Sequence, residues 1–273
     1  DPYNAPLSAV SANFNTAQLR RTSSGIISGE PQTPLTQVAK RIGMATAVRE
    51  AWPVNKVDRI NLQNVTNAER HFAELLLAML RTQHPNSIAP EVDILTTSER
   101  QYDQLPEIPA TAQRVIYSNT KTWSQMLQGA LQYSNNFVTD HAFLNLDSQQ
   151  PKSFAGAQHG VEQWLRRELG WQDFTIVDGS GLSRDNRVSV KQLAQVLTKF
   201  RPFKGLLNEY PFPEFNATAY AKTGTLDGVS ALAGYIVING REYEFAFIFN
   251  RSTPWRHREN TLRELVKTLM ERR

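Results

Sequence analysis

The sequence contains no cysteine among its 273 residues. That absence excludes disulfide bonds, thiolate metal ligands and a cysteine nucleophile, although it does not fix the compartment. No stretch approaches the roughly 18 uninterrupted apolar residues that a membrane-spanning helix needs, so no part of the chain is predicted to cross a bilayer. Because the chain starts at Asp1 rather than at Met, we expect a processed or trimmed end from which any signal peptide has been removed.

A strong net charge is also missing. The 30 Lys and Arg residues nearly balance the 26 Asp and Glu residues, and the formal net charge is +4. Arginine doublets such as Arg166-Arg167 are isolated, and no basic stripe carries interleaved aromatic residues, which disfavours nucleic acid as a partner. With 40% hydrophobic residues, the chain is expected to fold as one large domain or two small ones.

The first part of the chain gives weak structural signals. Residues 1–32 favour edge strands and turns, and residues 33–64 are mixed. A proline-containing connector over residues 85–115 indicates a domain boundary. We therefore predict an N-terminal segment over residues 1–110 and a second unit over residues 111–273.

One helix is predicted clearly within the N-terminal segment. Thr66-Asn67-Ala68-Glu69 fits a capping box, in which the Thr and Glu side chains satisfy backbone donors of the first turn, so the helix should start there. Its apolar stripe is formed by Phe72, Leu75, Leu76, Met79 and Leu80. His71 and His84 are expected to be ordinary surface residues.

The pattern becomes sharper in the second unit. Apolar residues recur at helical spacing from Trp123 to Leu131 and stop at Ser134-Asn135-Asn136, which places this tripeptide at a helix end. Further helices are expected around residues 137–146, 161–169 and 190–200, strands over residues 219–226, 229–238 and 242–250, and a final helix around residues 262–270. Asn239-Gly240 is a strong hairpin signal between the last two strands. The order predicts an α+β sheet with helices packed against it.

Lys222-Thr223-Gly224-Thr225 opens a predicted strand and has a chemistry suited to binding a peptide. The edge of such a strand can pair with the backbone of an extended peptide, and Gly224 has no side chain to block a close approach. Lys222 adds a positive charge, and the hydroxyls of Thr223 and Thr225 add donors that suit a terminal carboxylate. The competing interpretation is an ordinary strand with a solvent-facing lysine.

Serines provide the other candidates for chemistry. At a helix junction, the Ser134 hydroxyl can relay a proton and the Asn136 amide can both donate and accept hydrogen bonds. Ser118-Asn119-Thr120-Lys121 is the one Ser-x-x-Lys in the chain, and about one such match is expected by chance. Gly179-Ser180-Gly181 predicts a tight turn, because its glycine spacing is wrong for a nucleophile elbow.

Three segments, in this order, resemble one family: Ser134-Asn135-Asn136, the run from Asp178 to Arg184, and the stretch from Lys222 to Tyr235. They are similar to the C-terminal part of the class C low-molecular-weight penicillin-binding proteins, the D-alanyl-D-alanine carboxypeptidases and endopeptidases of peptidase family S13. The resemblance implies an α+β penicillin-recognising transpeptidase fold of the β-lactamase type, with helices packed on an antiparallel sheet. Residues 1–110 resemble, more loosely, part of the family's inserted region and sheet.

The resemblance also implies an acyl-enzyme route, in which a serine activated by a lysine three residues later attacks a D-Ala-D-Ala peptide. Ser134 would relay a proton to the leaving amine, and Asn136 would orient the substrate amide. The terminal carboxylate, or its β-lactam counterpart, would be held by Lys222, Thr223 and Thr225. The implied partner is a peptidoglycan stem peptide or a β-lactam, with no cofactor or metal, in the periplasm or elsewhere in the cell envelope.

The chain departs from the family pattern at the nucleophile. The family's Ser-x-x-Lys comes much earlier and starts a different helix, whereas Ser118 lies sixteen residues before Ser134 and one helix away from it. Two hypotheses therefore stay open. The chain is either a D-Ala-D-Ala peptidase whose nucleophilic segment, and with it part of the fold, is missing from these residues, or a non-catalytic relative that binds stem peptides or a protein partner through a retained groove.

Overall fold

The structure is a computed structural model, and it describes residues 4–85, 110 and 118–271. Apart from residues 85 and 110, the connector predicted over residues 85–115 lies outside these ranges. The domain boundary predicted after residue 110 falls within this connector. No helix within the described ranges is both long enough and apolar enough to cross a bilayer.

The chain divides into two compact units, residues 1–118 and residues 119–273. The described part of the first unit forms β1 (Thr16–Thr22), β2 (Gly25–Ser28), α1 (Gln37–Arg49), β3 (Val57–Asn61) and α2 (Val65–Gln83). Its strands make an antiparallel sheet in the order β2-β1-β3. Leu19 of β1, Ile42 of α1 and the buried Trp52 share one core, which shows that the mixed signal before residue 64 concealed a complete helix.

Helix α2 corrects the predicted start and apolar face. The N-cap residue is Asn64, two residues before the predicted cap Thr66, because the Asn64 side chain accepts a hydrogen bond from the backbone N–H of Asn67 at 2.9 Å. Ala68 and Leu75 lie on its buried face, whereas three members of the predicted stripe, Leu76, Met79 and Leu80, are exposed. The apolar spacing therefore predicts the helix correctly, but Leu75 is the one member of the predicted stripe that is buried.

His71 is buried, contrary to the prediction that it lies on the surface, while His84 is exposed as expected. The Nδ1 atom of His71 lies 2.7 Å from Oγ1 of Thr36, the hydroxyl that caps α1. Burial lowers the pKa of His71 to about 4, so the imidazole is neutral in the folded protein at neutral pH.

The second unit follows the predicted order of helices and strands. Its described residues form α3 (Trp123–Tyr133), α4 (Asn136–Leu144), α5 (Phe154–Leu169), α6 (Val190–Phe200), β4 (Asn208–Phe212), β5 (Ala217–Leu226), β6 (Val229–Ile238), β7 (Arg241–Phe249) and α7 (Trp255–Glu271). The strands form an antiparallel sheet in the order β4-β5-β6-β7, with the predicted Asn239-Gly240 turn at positive φ. Strand β4 escapes prediction because Pro211 interrupts its pattern, and proline is tolerated there because β4 is an edge strand.

Helices cover both faces of this second sheet. On one face, Leu262 and Val266 of α7 pack in one core with Ala219 and Ala221 of β5. On the other face, α6 contacts β6 and β7, and the hydroxyl of Tyr235 donates to a backbone carbonyl of α6. Because side chains alternate along a strand, the odd-numbered residues of β5 face α7 and the even-numbered residues face the opposite side.

Strand β5 has a free edge along the predicted binding motif. Strand β4 pairs only with the first half of β5, from Ala217 to Ala221, whereas β6 pairs with all ten residues. From Lys222 to Leu226, this edge of β5 therefore has no strand partner among the described residues. An open edge of this kind is the structural requirement for adding an extended peptide as a further strand.

Candidate functional site

Ser134 and Asn136 lie at the junction between α3 and α4. Ser134 ends α3 in the left-handed conformation, with φ 53° and ψ 49°, and its side chain is exposed. Asn135 then caps α4 by accepting a hydrogen bond from the backbone N–H of Val138 at 3.0 Å, which makes Asn136 the first residue of that helix. Serine adopts left-handed backbone infrequently, and such conformations cluster at functional sites.

Lys222 connects the β5 edge to this helix junction. Its Nζ atom donates a hydrogen bond to Oγ of Ser134 at 2.5 Å and another to the backbone carbonyl of Thr223 at 2.9 Å. An ammonium group has donors only, so the Ser134 oxygen must be the acceptor and the serine keeps its own proton for another partner. The structure thus brings together two residues that the sequence singled out separately.

The charge of Lys222 is poorly compensated. Burial lowers the pKa of the Lys222 ammonium, and the positive charge of Arg258 lowers it further. No Asp or Glu side chain in the described ranges forms an ion pair with either cation. Two neighbouring cations without a counter-ion favour the binding of an anion.

Arg258 is a residue of this site that sequence reasoning missed. It lies on α7, and its Nη1 atom donates to Oγ1 of Thr225 at 2.8 Å and to the backbone carbonyl of Gly224 at 3.3 Å. Thr223 and Arg258 also line a cleft of about 310 Å³ beside β4 and α7. The two threonines therefore face α7, whereas Lys222 faces Ser134 on the other side of the strand.

Asp140 holds the glycine-containing turn against α4. Its Oδ1 atom accepts hydrogen bonds from the backbone N–H groups of Gly179, at 2.9 Å, and Ser180, at 2.8 Å. A side chain at Gly179 would overlap the backbone carbonyl of Thr139, so the turn can sit this close only because the residue is glycine. Burial raises the pKa of Asp140 and the charge of Asp178 raises it further, while the hydrogen bonds oppose both effects.

The sequence marks Asp178 and Ser180 as parts of a turn, and the structure shows how that turn is built. The Asp178 carboxylate accepts hydrogen bonds from the backbone N–H groups of Gly181, at 2.6 Å, and Ser183, at 2.7 Å. The same carboxylate also accepts a hydrogen bond from the Asn186 side chain at 3.0 Å. Asp140 is the missed partner of this turn, and its one sequence signal is its place four residues after Asn136, on the same side of α4.

Ser118 and Lys121 are both exposed and lie in an irregular segment before α3. The backbone N–H of Lys121 donates to the side chain of Asn119 at 2.9 Å. Within the described part of the chain, no hydrogen bond joins the Ser118 hydroxyl to the Lys121 ammonium. This segment lacks the helical backbone that would place residues three apart side by side.

Sequence comparisons relate the chain to bacterial D-Ala-D-Ala carboxypeptidases. Residues 100–210 match the D-Ala-D-Ala carboxypeptidase 3 (S13) family. The chain is 27% identical over 166 residues to D-alanyl-D-alanine carboxypeptidase DacB of Haemophilus influenzae, in an alignment that covers 53% of this chain and 34% of that protein. It is 33% identical over 129 residues to carboxypeptidase DacB of Mycolicibacterium smegmatis, covering 38% and 28% respectively. The matched regions thus span about a third of the relatives' lengths.

A structural comparison shows the fold. Penicillin-binding protein 4 (dacB) of Haemophilus influenzae, solved in complex with a β-lactam, matches 95% of this chain and 71% of its own chain, with a TM-score of 0.64 and 18% identity. The predicted α+β, penicillin-recognising fold is therefore confirmed.

Within that fold class, the resemblance to the class C, S13-type D-Ala-D-Ala carboxypeptidases is also confirmed. The family match includes Ser134, Asn136 and the turn that Asp140 holds, and it ends before Lys222. The roles of Lys222, Thr223 and Thr225 are therefore supported by the geometry described above and not by the family match.

Proposed function

We propose that these residues form a D-Ala-D-Ala carboxypeptidase- or endopeptidase-like site that binds the D-Ala-D-Ala end of peptidoglycan stem peptides. One observation carries the proposal: the 2.5 Å hydrogen bond from Lys222 to Ser134, formed beside the free edge of β5. It places a cation, a hydroxyl with a free proton and an open strand edge next to one another. A β-lactam, which carries a carboxylate beside an amide, would occupy the same site.

The free edge of β5 supports an extended peptide as the ligand. Residues 222–226 lie beyond the end of β4, so a peptide could continue the sheet in the space that β4 leaves open. Gly224 is exposed and has no side chain on the face where Lys222 and Ser134 meet. In this arrangement the hydroxyls of Thr223 and Thr225 would lie near the C-terminal end of the peptide and bind its carboxylate.

Ser134 and Asn136 are proposed to bind the amide bond of the ligand. Because the Ser134 oxygen accepts the hydrogen bond from Lys222, the serine O–H is left to donate to the ligand, and it would relay that proton to a leaving amine only where a nucleophile is also supplied. Asn136 begins the helix next to Ser134, and its amide can bind both the C=O and the N–H of a peptide. Asp140 keeps the glycine-containing turn docked on the same helix and thus supports the position of both residues.

Covalent cleavage would also need an activated serine. The exposed Ser118 and Lys121 have no mutual hydrogen bond, which favours the non-catalytic alternative for these 273 residues: recognition of the peptide without acylation. Peptidoglycan is a cell-envelope polymer, so we place this function in the periplasm or elsewhere in the envelope.

Labelled penicillin tests the catalytic question directly. We expect no stable covalent label on the chain. A label that Ser118→Ala abolishes would identify Ser118 as a nucleophile and contradict the recognition-only proposal. A label that Ser134→Ala abolishes would contradict it equally, because Ser134 would then take part in acylation.

Peptide binding tests the recognition proposal. The probes are two N-acetylated tripeptides, one ending in D-Ala-D-Ala and one ending in L-Ala-L-Ala, titrated into the protein and followed by NMR. We expect the D,D peptide to bind at least about tenfold more tightly, a difference of about 1.4 kcal/mol, and to shift resonances of residues 222–226 and 134–136. Equal affinities, or shifts confined to other residues, would reject the proposal.

A further inference from the structure

A cavity of about 360 Å³ lies on the second sheet near the start of β5, away from the contact between Lys222 and Ser134. Its volume is within the range of small-molecule sites. The strand register places Pro211 of β4, Thr218 of β5 and Val237 of β6 opposite one another, and all three line the cavity. Because residues opposite each other in antiparallel strands point to the same face, these side chains form a level floor across three strands.

The cavity is neutral. Among the described residues that line it, none carries a charge, whereas the cleft beside α7 is lined by two glutamates and two arginines. An ionic ligand would lose hydration here without gaining a counter-ion, so the cavity favours a neutral ligand. The exposed rings of Pro211 and Pro213 and the half-buried ring of Tyr220 offer apolar surface to that ligand.

Three polar side chains of the cavity have hydrogen-bonding capacity to spare. In the part of the chain that the structure describes, Oγ1 of Thr218, the hydroxyl of Tyr220 and Oδ1 of Asn216 make no hydrogen bond. Asn216 is held in place, because its amide nitrogen donates to Oδ1 of Asn239 at 3.3 Å. The two hydroxyls can donate and accept, and the amide oxygen can accept. The cavity therefore combines an apolar floor with free hydrogen-bonding groups and no charge.

We propose that this cavity binds an N-acetylated amino sugar of the peptidoglycan glycan, and the choice of that polymer rests on the function proposed above. A pyranose ring has apolar C–H faces that can lie on the floor, and its hydroxyl groups can exchange hydrogen bonds with Thr218 and Tyr220. The acetamido N–H is a donor that suits the free oxygen of Asn216.

The position of the cavity relates it to the proposed peptide site. Thr218 precedes Lys222 by four residues on the same face of β5, about 14 Å at the usual rise of a strand. Stem peptides are attached to the glycan, so a glycan strand held in the cavity would raise the local concentration of stem peptides at the β5 edge.

The experiment titrates the full chain by NMR with two matched trisaccharides. Chitotriose is a β-1,4-linked trimer of N-acetylglucosamine, and cellotriose has the same linkage with hydroxyl groups in place of the acetamido groups. We expect chitotriose to shift resonances of residues 216–220 and 237–240 and to bind at least about tenfold more tightly than cellotriose. Equal affinities for the two sugars, or no binding of chitotriose, would overturn the assignment.

Substitutions test the individual contacts. Asn216→Gly removes the amide acceptor without straining the left-handed backbone at this position, where φ is 45°, and should abolish the preference for chitotriose over cellotriose. Thr218→Val and Tyr220→Phe each remove one hydroxyl at nearly constant shape and should weaken chitotriose binding about two- to tenfold, as expected for one neutral hydrogen bond. Asn250→Gly is the control, because Asn250 is an exposed asparagine just beyond β7. Chitotriose binding that survives all three substitutions would place the sugar elsewhere and refute the proposal.

The N-acetylated D-Ala-D-Ala tripeptide separates this proposal from the proposed function. The three cavity variants should bind the peptide as the unchanged protein does, whereas a parallel loss of peptide and sugar binding would show a general disturbance of the sheet and overturn the assignment. A protein that binds chitotriose through these residues but does not bind the peptide would refute the peptide function and retain the saccharide site. A protein that binds the peptide but not chitotriose would refute the saccharide site alone.

Discussion

Lys222 and Ser134 are 88 residues apart in the sequence and 2.5 Å apart at their side-chain tips. Two local features make this contact possible. Ser134 has a left-handed backbone conformation at the junction of α3 and α4, and its side chain is exposed there. Lys222 is the first residue of β5 that does not pair with β4. The site is thus built where a helix break meets an unfinished strand edge.

Gly224→Ala should separate binding from stability. An added Cβ would meet only Ala231 at 3.5 Å, an ordinary contact, so the free energy of unfolding should change by less than about 0.5 kcal/mol. The methyl group would project beside Lys222 at the free edge, so affinity for the D-Ala-D-Ala peptide should fall at least about tenfold, about 1.4 kcal/mol. Thermal melts and NMR titrations measure the two effects. Gly205→Ala, where an added Cβ meets nothing within 4 Å, is the control. An unaltered affinity in Gly224→Ala would argue against peptide binding along this edge.

Asp140→Ala and Asp140→Asn should differ in stability. Alanine leaves the N–H groups of Gly179 and Ser180 without their acceptor, at a cost of about 1–3 kcal/mol. Asparagine keeps an acceptor oxygen and should cost less, because burial already disfavours the charged form of Asp140 and raises its pKa. Urea denaturation measures both free energies. An asparagine variant as unstable as the alanine variant would show that the negative charge itself holds the turn.

The same pKa shift fixes the direction of a pH effect at Asp140. A carboxyl group whose pKa is raised on folding favours the folded state most at pH values below its unfolded pKa, and this contribution is lost as the pH rises through the folded pKa. The stability of the unchanged protein relative to Asp140→Asn should therefore improve between pH 7 and about pH 4. A constant difference across this range would contradict the assigned cause.

His71 should make the first unit sensitive to acid. The pKa of His71 is lowered by burial from 6.5 to about 4, so the unfolded chain binds a proton that the folded chain rejects between these values. Stability is unaffected by this group above pH 6.5 and decreases as the pH falls toward 4, by at most about 1.4 kcal/mol per pH unit. Urea denaturation of the unchanged protein and of His71→Gln should show a shallower loss in the variant. Parallel pH profiles would contradict the prediction.

Local patterns in the sequence were enough to predict the scaffold of the second unit. The apolar spacing before Ser134 placed a helix end there, and Asn239-Gly240 fixed the hairpin that aligns β6 with β7. Both signals depend on neighbouring residues only, because a helical stripe and a two-residue turn are set by local backbone geometry. The sequence did not predict that Lys222 starts the unpaired edge of β5. That position is set by where β4 ends, and β4 itself was not predicted because Pro211 interrupts its strand pattern.

Long-range contacts account for what the sequence did not show. Arg258 and Asp140 gain their roles from partners 33 to 40 residues away, and no local period links such pairs. The burial of His71 could be predicted from the sequence, because Ala68, His71 and Leu75 have helical spacing and all three are buried. The larger residues Leu76, Met79 and Leu80 lie on an adjacent side of α2, which is exposed in the described part of the first unit.

The most direct test of the account measures the affinity of the N-acetylated D-Ala-D-Ala tripeptide for the unchanged protein and for Lys222→Gln. Lys199→Gln is the matched control, because Lys199 is an exposed lysine of α6. The account predicts that Lys222→Gln binds the peptide at least about tenfold more weakly, about 1.4 kcal/mol, while Lys199→Gln binds it as the unchanged protein does and all three melt at similar temperatures. Equal affinity in all three proteins would contradict the account, because the contact between Lys222 and Ser134 would then have no part in recognising the ligand.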